Sequence, residues 1–301
     1  MRKKQKSTLA ARDTLTGYMF LLPALVIFAV LVLFPMVVSL LLSFTKWNFF
    51  SGLEGLKFVG VDNFVQLFTR DRMFKSALAN TLIYAVATVP ITLFAALILA
   101  HIMNGKVYCQ RFFRLAFFIP YISSLVALGA VFKFLFRSDG PINAILNGVF
   151  HMDAVPDWLV DTTLSKIPII CVMIYSGIGY CLIIYIAALK NVPRELYEAA
   201  QIDGASPWQQ FFRVTIPMIS PTTFYLLIVR LISAFQVFAV INIISDSGRN
   251  LGNISLVTMI YEEAFRNYNF GYASAAAWVL VVIIFAITLL NFRLQKRWVH
   301  Y

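Results

Sequence analysis

Acidic residues are scarce. Only 14 of the 301 residues are Asp or Glu, and charged side chains of both signs make up 13% of the chain. Soluble domains carry about a quarter charged residues, so a water-soluble globular protein is excluded. Cysteine is almost missing, with three residues. Cys171 and Cys181 lie ten positions apart in one apolar run, about 15 Å along a helix and too far to bridge, while Cys109 stands alone in a basic loop. The histidines His101, His151 and His300 are scattered, and neither C-x-x-C nor H-x-x-x-H spacing is present to hold a metal. A phosphate loop, G-x-x-x-x-G-K followed by Ser or Thr, is also missing. No low-complexity linker or convincing internal repeat divides the chain.

Apolar residues are abundant instead. Hydrophobic side chains account for 60% of the sequence, Phe alone occurs 28 times, and mean hydropathy is +0.79. Six apolar runs, at about 17–43, 76–103, 113–136, 166–189, 222–245 and 271–292, are long enough to cross about 30 Å of hydrocarbon at 1.5 Å per residue. Lipid offers the backbone no hydrogen-bond partners, so these runs must be helices. Several contain proline (Pro23, Pro35, Pro90, Pro120, Pro168), which membrane helices tolerate. The basic N-terminal stretch MRKKQKSTLAARDTLTGY precedes a run too long for a signal peptide and without a small-residue cleavage site, so a retained first span is expected. The chain reads as an all-α integral membrane protein with six transmembrane helices.

Lys and Arg set the orientation. With both termini inside, the cytoplasmic segments hold 14 basic residues against four acids, while the opposite side holds ten of each sign. Arg230, inside the fifth run, supplies the last unit of the net +11. The positive balance therefore reflects topology rather than nucleic-acid binding. Trp47 and Trp158, in the larger outer loops, are placed as interfacial anchors.

One cytoplasmic stretch, ELYEAAQIDGASPWQQFFRVTIPMISP from Glu195 to Pro221, is polar and rich in small residues between two oily runs. Its local chemistry predicts two short helices. Pro193 suits a first helical position, and Glu195 lies in a first turn, where carboxylates are favoured. Leu196, Ala199, Ala200 and Asp203 share one nearly smooth face. Gly204 suits the left-handed conformation that ends a helix. Ser206, Pro207 and Gln209 form a capping-box pattern for a second helix. Trp208, Phe211 and Phe212 give that helix an apolar stripe suited to lipid or neighbouring helices, and Pro217 and Pro221 are expected to stop it. The Leu196–Asp203 face is too small and too acidic for an anionic leaflet, and suits a protein partner better than lipid headgroups.

Glu198, Ala199, Ala200, Gly204, Val214, Ile216 and Pro217 keep the full spacing of the EAA loop, and the chain resembles the permease subunits of ABC importers over about residues 10–298. The flanks LKNVPRELYEAAQIDGAS, FQVFAVINIISDSG and YEEAF are similar to the carbohydrate subgroup with maltose- and glycerol-phosphate-type importers. Two departures stand out. Ser245-Asp246-Ser247-Gly248-Arg249 replaces the subgroup's T-G-G-G-P, and the extra N-terminal helices and large outer domain of the maltose-type subunit are not seen.

The resemblance implies a type I ABC importer permease fold in a bacterial or archaeal cell membrane. A basic N-terminus (1–16) would precede one permease domain (17–298), with its coupling loop at 190–221 and a short tail at 299–301. The implied partners are a second homologous permease, two ATP-binding subunits, an extracytoplasmic solute-binding protein and an oligosaccharide substrate. ATP and Mg would bind the partner ATPase, with no cofactor in this chain. Glu198, Ala199, Ala200, Asp203 and Gly204 would form the ATPase-coupling face.

A gapless match to the maltose-type subunit places Gly177, Tyr180, Arg230, Ala234 and Val237 at substrate-contacting positions. Tyr180 would stack on a sugar face, or simply pack between helices; Gly177 and Gly179 would allow close helix approach. Ala234 and Val237 stand where that subunit uses amides, so the pocket is not built for the same sugar. Arg230 reads either as a snorkelling or structurally paired arginine, or as a contact to sugar hydroxyls or an acidic substrate group in a water-filled cavity. The alternative function, an ion-coupled secondary transporter or channel, needs intramembrane carboxylates or histidines as relays. The span interiors hold essentially none, which also argues against a membrane enzyme.

Overall fold

The computed structural model describes residues 2–105, 108–151, 156–245 and 250–299. Helix α1 (Arg2–Phe28) runs through a π-helical turn at Ala29–Leu33 into α2 (Phe34–Ser43), with Pro35 in the first turn of α2. The most apolar 18-residue window of this rod, within Thr16–Ser43, has a mean hydropathy of 3.1, and none of that window is buried within the chain. A helix apolar all round must be solvated by lipid or by other apolar helices. Its C-terminal end is tied down, where the Trp278 indole donates to Ser39 Oγ at 3.2 Å and Ser43 is buried.

A two-residue ladder follows, β1 (Thr45–Lys46) against β2 (Lys57–Phe58), antiparallel, with Thr45 opposite Phe58. It is the one departure from an all-helical chain among the described residues. Helix α3 (Asp62–Thr69) leads into α4 (Arg72–Asn104), whose N-terminus is capped by Asp71 Oδ1 accepting from the N–H groups of Met73 and Phe74. Pro90 is carried inside α4 without a break.

The expected third span at 113–136 is two helices, α5 (Gln110–Ile122) and α6 (Leu125–Leu135), bent by 98°. The extended backbone of Ser123 and Ser124 makes the turn just past Pro120, which removes one donor from the ladder. Helix α7 (Pro141–Phe150) precedes α8 (Lys166–Lys190), which covers the expected fourth span. Asp161, in the turn before α8, accepts from the N–H groups of Thr163 and Leu164, and these bonds hold its carboxyl below the usual range.

The coupling region comprises α9 (Arg194–Ile202), α10 (Pro207–Gln210), a π-helical turn at Phe211–Thr215 and α11 (Ile216–Met218). Helix α12 (Ser220–Phe235) leaves it at 66°. The expected fifth span at 222–245 is also interrupted. After α12 the backbone breaks at Gln236–Phe238 before α13 (Ala239–Ile244), and Ser255 Oγ donates to the freed Val237 carbonyl at 2.7 Å. Helix α14 (Leu256–Tyr261), a π-helical turn at Glu262–Arg266 and α15 (Phe270–Leu294) complete the order.

Among the described residues four stretches, Thr16–Ser43, Arg72–Asn104, Lys166–Lys190 and Phe270–Arg297, are long and apolar enough to cross a membrane, and two bent pairs raise this to six if each pair is one span. Helices α4 and α8 form the spine, with α5 against α8 and α12 against α4. The core between them is filled by fully buried side chains such as Tyr84, Ile169, Leu182, Tyr185 and Leu226. At Gly179 a Cβ would sit 2.4 Å from the Phe117 carbonyl oxygen, so α5 and α8 touch backbone to backbone.

Both outer tryptophans are folded into their loops. Trp47 Nε1 donates to the Gly52 carbonyl and its ring meets Phe270, while Trp158 Nε1 donates to Asn143 Oδ1 beside Phe136. Of the outer turn that departs from the subgroup's glycines, Asp246–Arg249 lie outside the described residues.

Candidate functional site: a capped cytoplasmic hairpin and a guanidinium between helices

The hairpin is built by local rules. Pro193 is the N-cap residue of α9, and Tyr197 OH lies 3.0 Å from Thr215 Oγ1, fastening α9 to the π-helical turn. Gly204 has φ +77°. Its N–H donates to the Gln201 carbonyl at 3.0 Å, and the Ala205 N–H donates to the Ala200 carbonyl at 2.8 Å. This pair of bonds is the Schellman arrangement, which requires the left-handed residue. The second helix starts with a complete capping box: the Ser206 N–H donates to Gln209 Oε1, and the Gln209 N–H to Ser206 Oγ. Pro217 has no N–H to give the preceding turn, and the helix widens into the π form there.

These caps leave Glu198, Ala199, Asp203 and Gly204 exposed and Ala200 half-buried. A cleft of about 340 Å³ opens beside them, lined by Ala200, Asp203, Gly204, Gln209 and Arg213. Neither Glu198 nor Asp203 is in an ion pair among the described residues. Behind this face, Phe211 is buried against the His101 ring at 4.6 Å, whereas Trp208 and Phe212 stack on each other and stay exposed.

The second group of residues meets where α4, α8 and α12 converge. Arg230 sits ten residues into α12, about 15 Å from its start. Nη2 donates to the Met173 carbonyl at 3.3 Å, and the buried Nε has no partner among the described residues. Arg230 reaches no carboxylate among the described residues. The guanidinium lies against Gly177: a Cβ there would be 2.4 Å from Nη2 and 2.7 Å from Cζ. One turn along α8, Tyr180 OH lies 3.0 Å from Tyr225 OH, and the Tyr180 ring is 5.2 Å from that of Tyr121.

Gly177, Tyr180 and Arg230 therefore form one cluster. Ala234 and Val237 do not join it at the surface. Ala234 is 1% exposed, and Val237 is 7% exposed and lies past the end of α12, where the helical register that aligned it with Arg230 is lost. Sequence reading did not include Thr92, Tyr121 or Tyr225. The one available signal was a hydroxyl inside an apolar run, which does not say which helix it faces. Tyr121 and Tyr225 are about half exposed, so this corner presents phenols and a cation. Phenol rings and hydroxyls suit the apolar faces and hydroxyl edges of a sugar.

A family model described as binding-protein-dependent transport system inner membrane component matches residues 76–300. The chain is 36% identical to the probable ABC transporter permease protein YesP of Bacillus subtilis, over 99% of this chain and 96% of that one. It is 35% identical to the lactose transport system permease protein LacF of Rhizobium radiobacter, over 97% and 98%. Among solved structures, a bacterial alginate ABC transporter in complex with an alginate pentasaccharide-bound periplasmic protein contains a chain of 26% identity. It aligns with a TM-score of 0.78 over 95% of this chain and 96% of that one.

Proposed function

The chain belongs to the family of binding-protein-dependent transport system inner membrane components, and we propose that it is the permease subunit of an ATP-driven importer of sugars or oligosaccharides. It crosses a bacterial or archaeal cell membrane six times, each bent pair counting as one span, with both termini in the cytoplasm and one permease domain over 17–298. With a second, homologous permease it lines the translocation path. Two ATP-binding subunits dock on the cytoplasmic side, and a solute-binding protein delivers substrate from outside. This subunit hydrolyses nothing itself, and ATP and Mg belong to the ATPase.

The observation that carries this reading is the doubly capped hairpin with its exposed face from Glu198 to Gly204. Small residues at Ala199, Ala200 and Gly204 let a partner's cleft close on the backbone. Glu198 meets a basic group there, since burying it unpaired would cost several kcal/mol. When ATP closes the ATPase dimer, α9 moves with it. The movement passes through the bend at Ile219 into α12 and reaches Arg230.

The cluster of Gly177, Tyr180 and Arg230 receives the substrate, with Ala234 and Val237 packed behind it. A guanidinium without a carboxylate partner among the described residues favours a substrate with an acidic group. The alginate transporter of similar fold, an importer of an acidic polysaccharide, supports the same chemistry. A charge-assisted bond contributes about 1.5–3 kcal/mol against about 1 for a neutral one. In vesicles carrying the assembled transporter, Arg230→Gln should therefore weaken uptake of a uronic-acid oligosaccharide more than that of its carboxyl-reduced analogue. Equal loss for both assigns Arg230 a structural role, and no loss removes it from the site. Recovery of the tagged chain from membranes without an ATP-binding subunit would overturn the importer reading itself.

A further inference from the structure

We propose that Gly177 is a positioning residue for the Arg230 guanidinium, fixing it where it reads the acidic group of the substrate; this rests on the substrate reading given above. Three observations converge on the same few ångströms. An added Cβ at Gly177 would approach Nη2 to 2.4 Å and Cζ to 2.7 Å. No other described glycine has a charged side chain against it in this way. Next, among the described residues the buried Nε of Arg230 has no partner, and Nη2 has only the Met173 carbonyl at 3.3 Å. Hydrogen bonding to the protein therefore does little to hold the guanidinium, and packing on α8 is what locates it.

Thr92 closes the other side. Its methyl carbon is 3.0 Å from the same Cβ position, and its buried hydroxyl has no partner among the described residues. Thr81 and Thr88, on the same helix, each donate to a carbonyl one turn back at 2.7 Å. Thr92 instead turns its methyl towards Gly177, so α4, α8 and α12 meet around a slot the thickness of a guanidinium.

An alanine at position 177 has one easy response. The atoms it strikes hardest are the far end of a flexible side chain rather than backbone, so the guanidinium withdraws by about an ångström to reach ordinary van der Waals separation. The helices need not part. The effect therefore falls on recognition: the charge is kept, but displaced from the position in which it meets the substrate's anion.

The test uses the assembled transporter in vesicles, with a uronic-acid oligosaccharide and its carboxyl-reduced analogue as probes. Gly177→Ala should raise KM for the acidic probe about tenfold, the factor for 1.4 kcal/mol, and for the neutral probe by a markedly smaller factor. In an Arg230→Gln background, where Nη2 and Cζ are gone and only the Thr92 methyl at 3.0 Å must give by a few tenths of an ångström, Gly177→Ala should add little to either KM or the thermal midpoint of the purified complex, because two residues acting through one contact are not additive. Additive effects, or equal effects on both probes from Gly177→Ala, would overturn the positioning role. If Gly177→Ala prevents assembly, Gly177→Ala with Arg230→Gln must restore it, and failure to do so also overturns the proposal. Arg230→Gln alone distinguishes the two readings. Loss of acid selectivity in that variant with additive cycles rejects positioning only, whereas retained selectivity with non-additive cycles rejects the acidic-substrate reading, leaving the contact between Gly177 and Arg230 as a packing contact without a part in reading an anion.

Discussion

Replacing Gly204 by alanine separates backbone conformation from side-chain bulk at the turn of the coupling hairpin. Gly204 holds φ +77°, and a Cβ there would meet nothing within 4 Å of this chain. Steric conflict inside the subunit is therefore nil, and the whole cost is conformational. A non-glycine L-residue in the left-handed region costs about 1–2 kcal/mol, with Asn better tolerated than most. That amount changes the ratio of the capped turn to its frayed forms by about 5–30-fold. The bonds at risk are those from the Gly204 and Ala205 N–H groups to Gln201 and Ala200, and with them the placing of Ala200 and Asp203 on the exposed face. Uptake and substrate-stimulated ATP hydrolysis by the reconstituted transporter should fall by up to that factor in Gly204→Ala, fall further in Gly204→Val, and be better preserved in Gly204→Asn. Activity lower in Gly204→Asn than in Gly204→Ala would refute the reasoning, because bulk at the interface rather than backbone conformation would then set the requirement. Normal activity in all three would remove the turn from coupling.

Glu198→Lys should leave the subunit inserted and assembled from its own helices, since Glu198 is exposed and in no ion pair among the described residues, yet uptake and stimulated hydrolysis should both fall; normal uptake at normal expression would sink its docking role. Gly179→Ala should act on stability instead, because its Cβ would fall 2.4 Å from the Phe117 carbonyl oxygen and 3.2 Å from the Phe118 Cα, backbone atoms that cannot swing away. A loss of about 1–3 kcal/mol is expected for such overpacking, read as a lowered thermal midpoint of the detergent-purified complex, and an unchanged midpoint would show that α5 and α8 part freely.

The hairpin was legible because its determinants are local. Gly204, Ser206 and Gln209 act on backbone groups no more than about four residues away, so a motif in the chain is also a motif in space. The break of the third span was less legible. Ser123 and Ser124 are unremarkable inside an apolar run, and the 98° turn there is set by how α5 and α6 pack on α8 and α13. The interruption of the fifth span depends on Ser255, 18 residues further on, taking the Val237 carbonyl.

From sequence alone came the medium and the local grammar. Scarce charge and long apolar runs determine that the helices lie in lipid, since no other solvent accepts such surfaces and lipid leaves the backbone no partner outside the helix. Capping residues likewise determine where the coupling helices start and stop. Tertiary structure alone decided which polar groups inside those helices meet. Arg230 lies on Gly177 across 53 positions of chain, Tyr180 reaches Tyr225 across 45, and Ala234 and Val237 turn inward. The physical reason is that apolar helices in lipid have no contrast between a wet and a dry face to set their rotation. The fit of side chains at each crossing sets it, and a glycine that makes room for a guanidinium is visible only once both helices are in place.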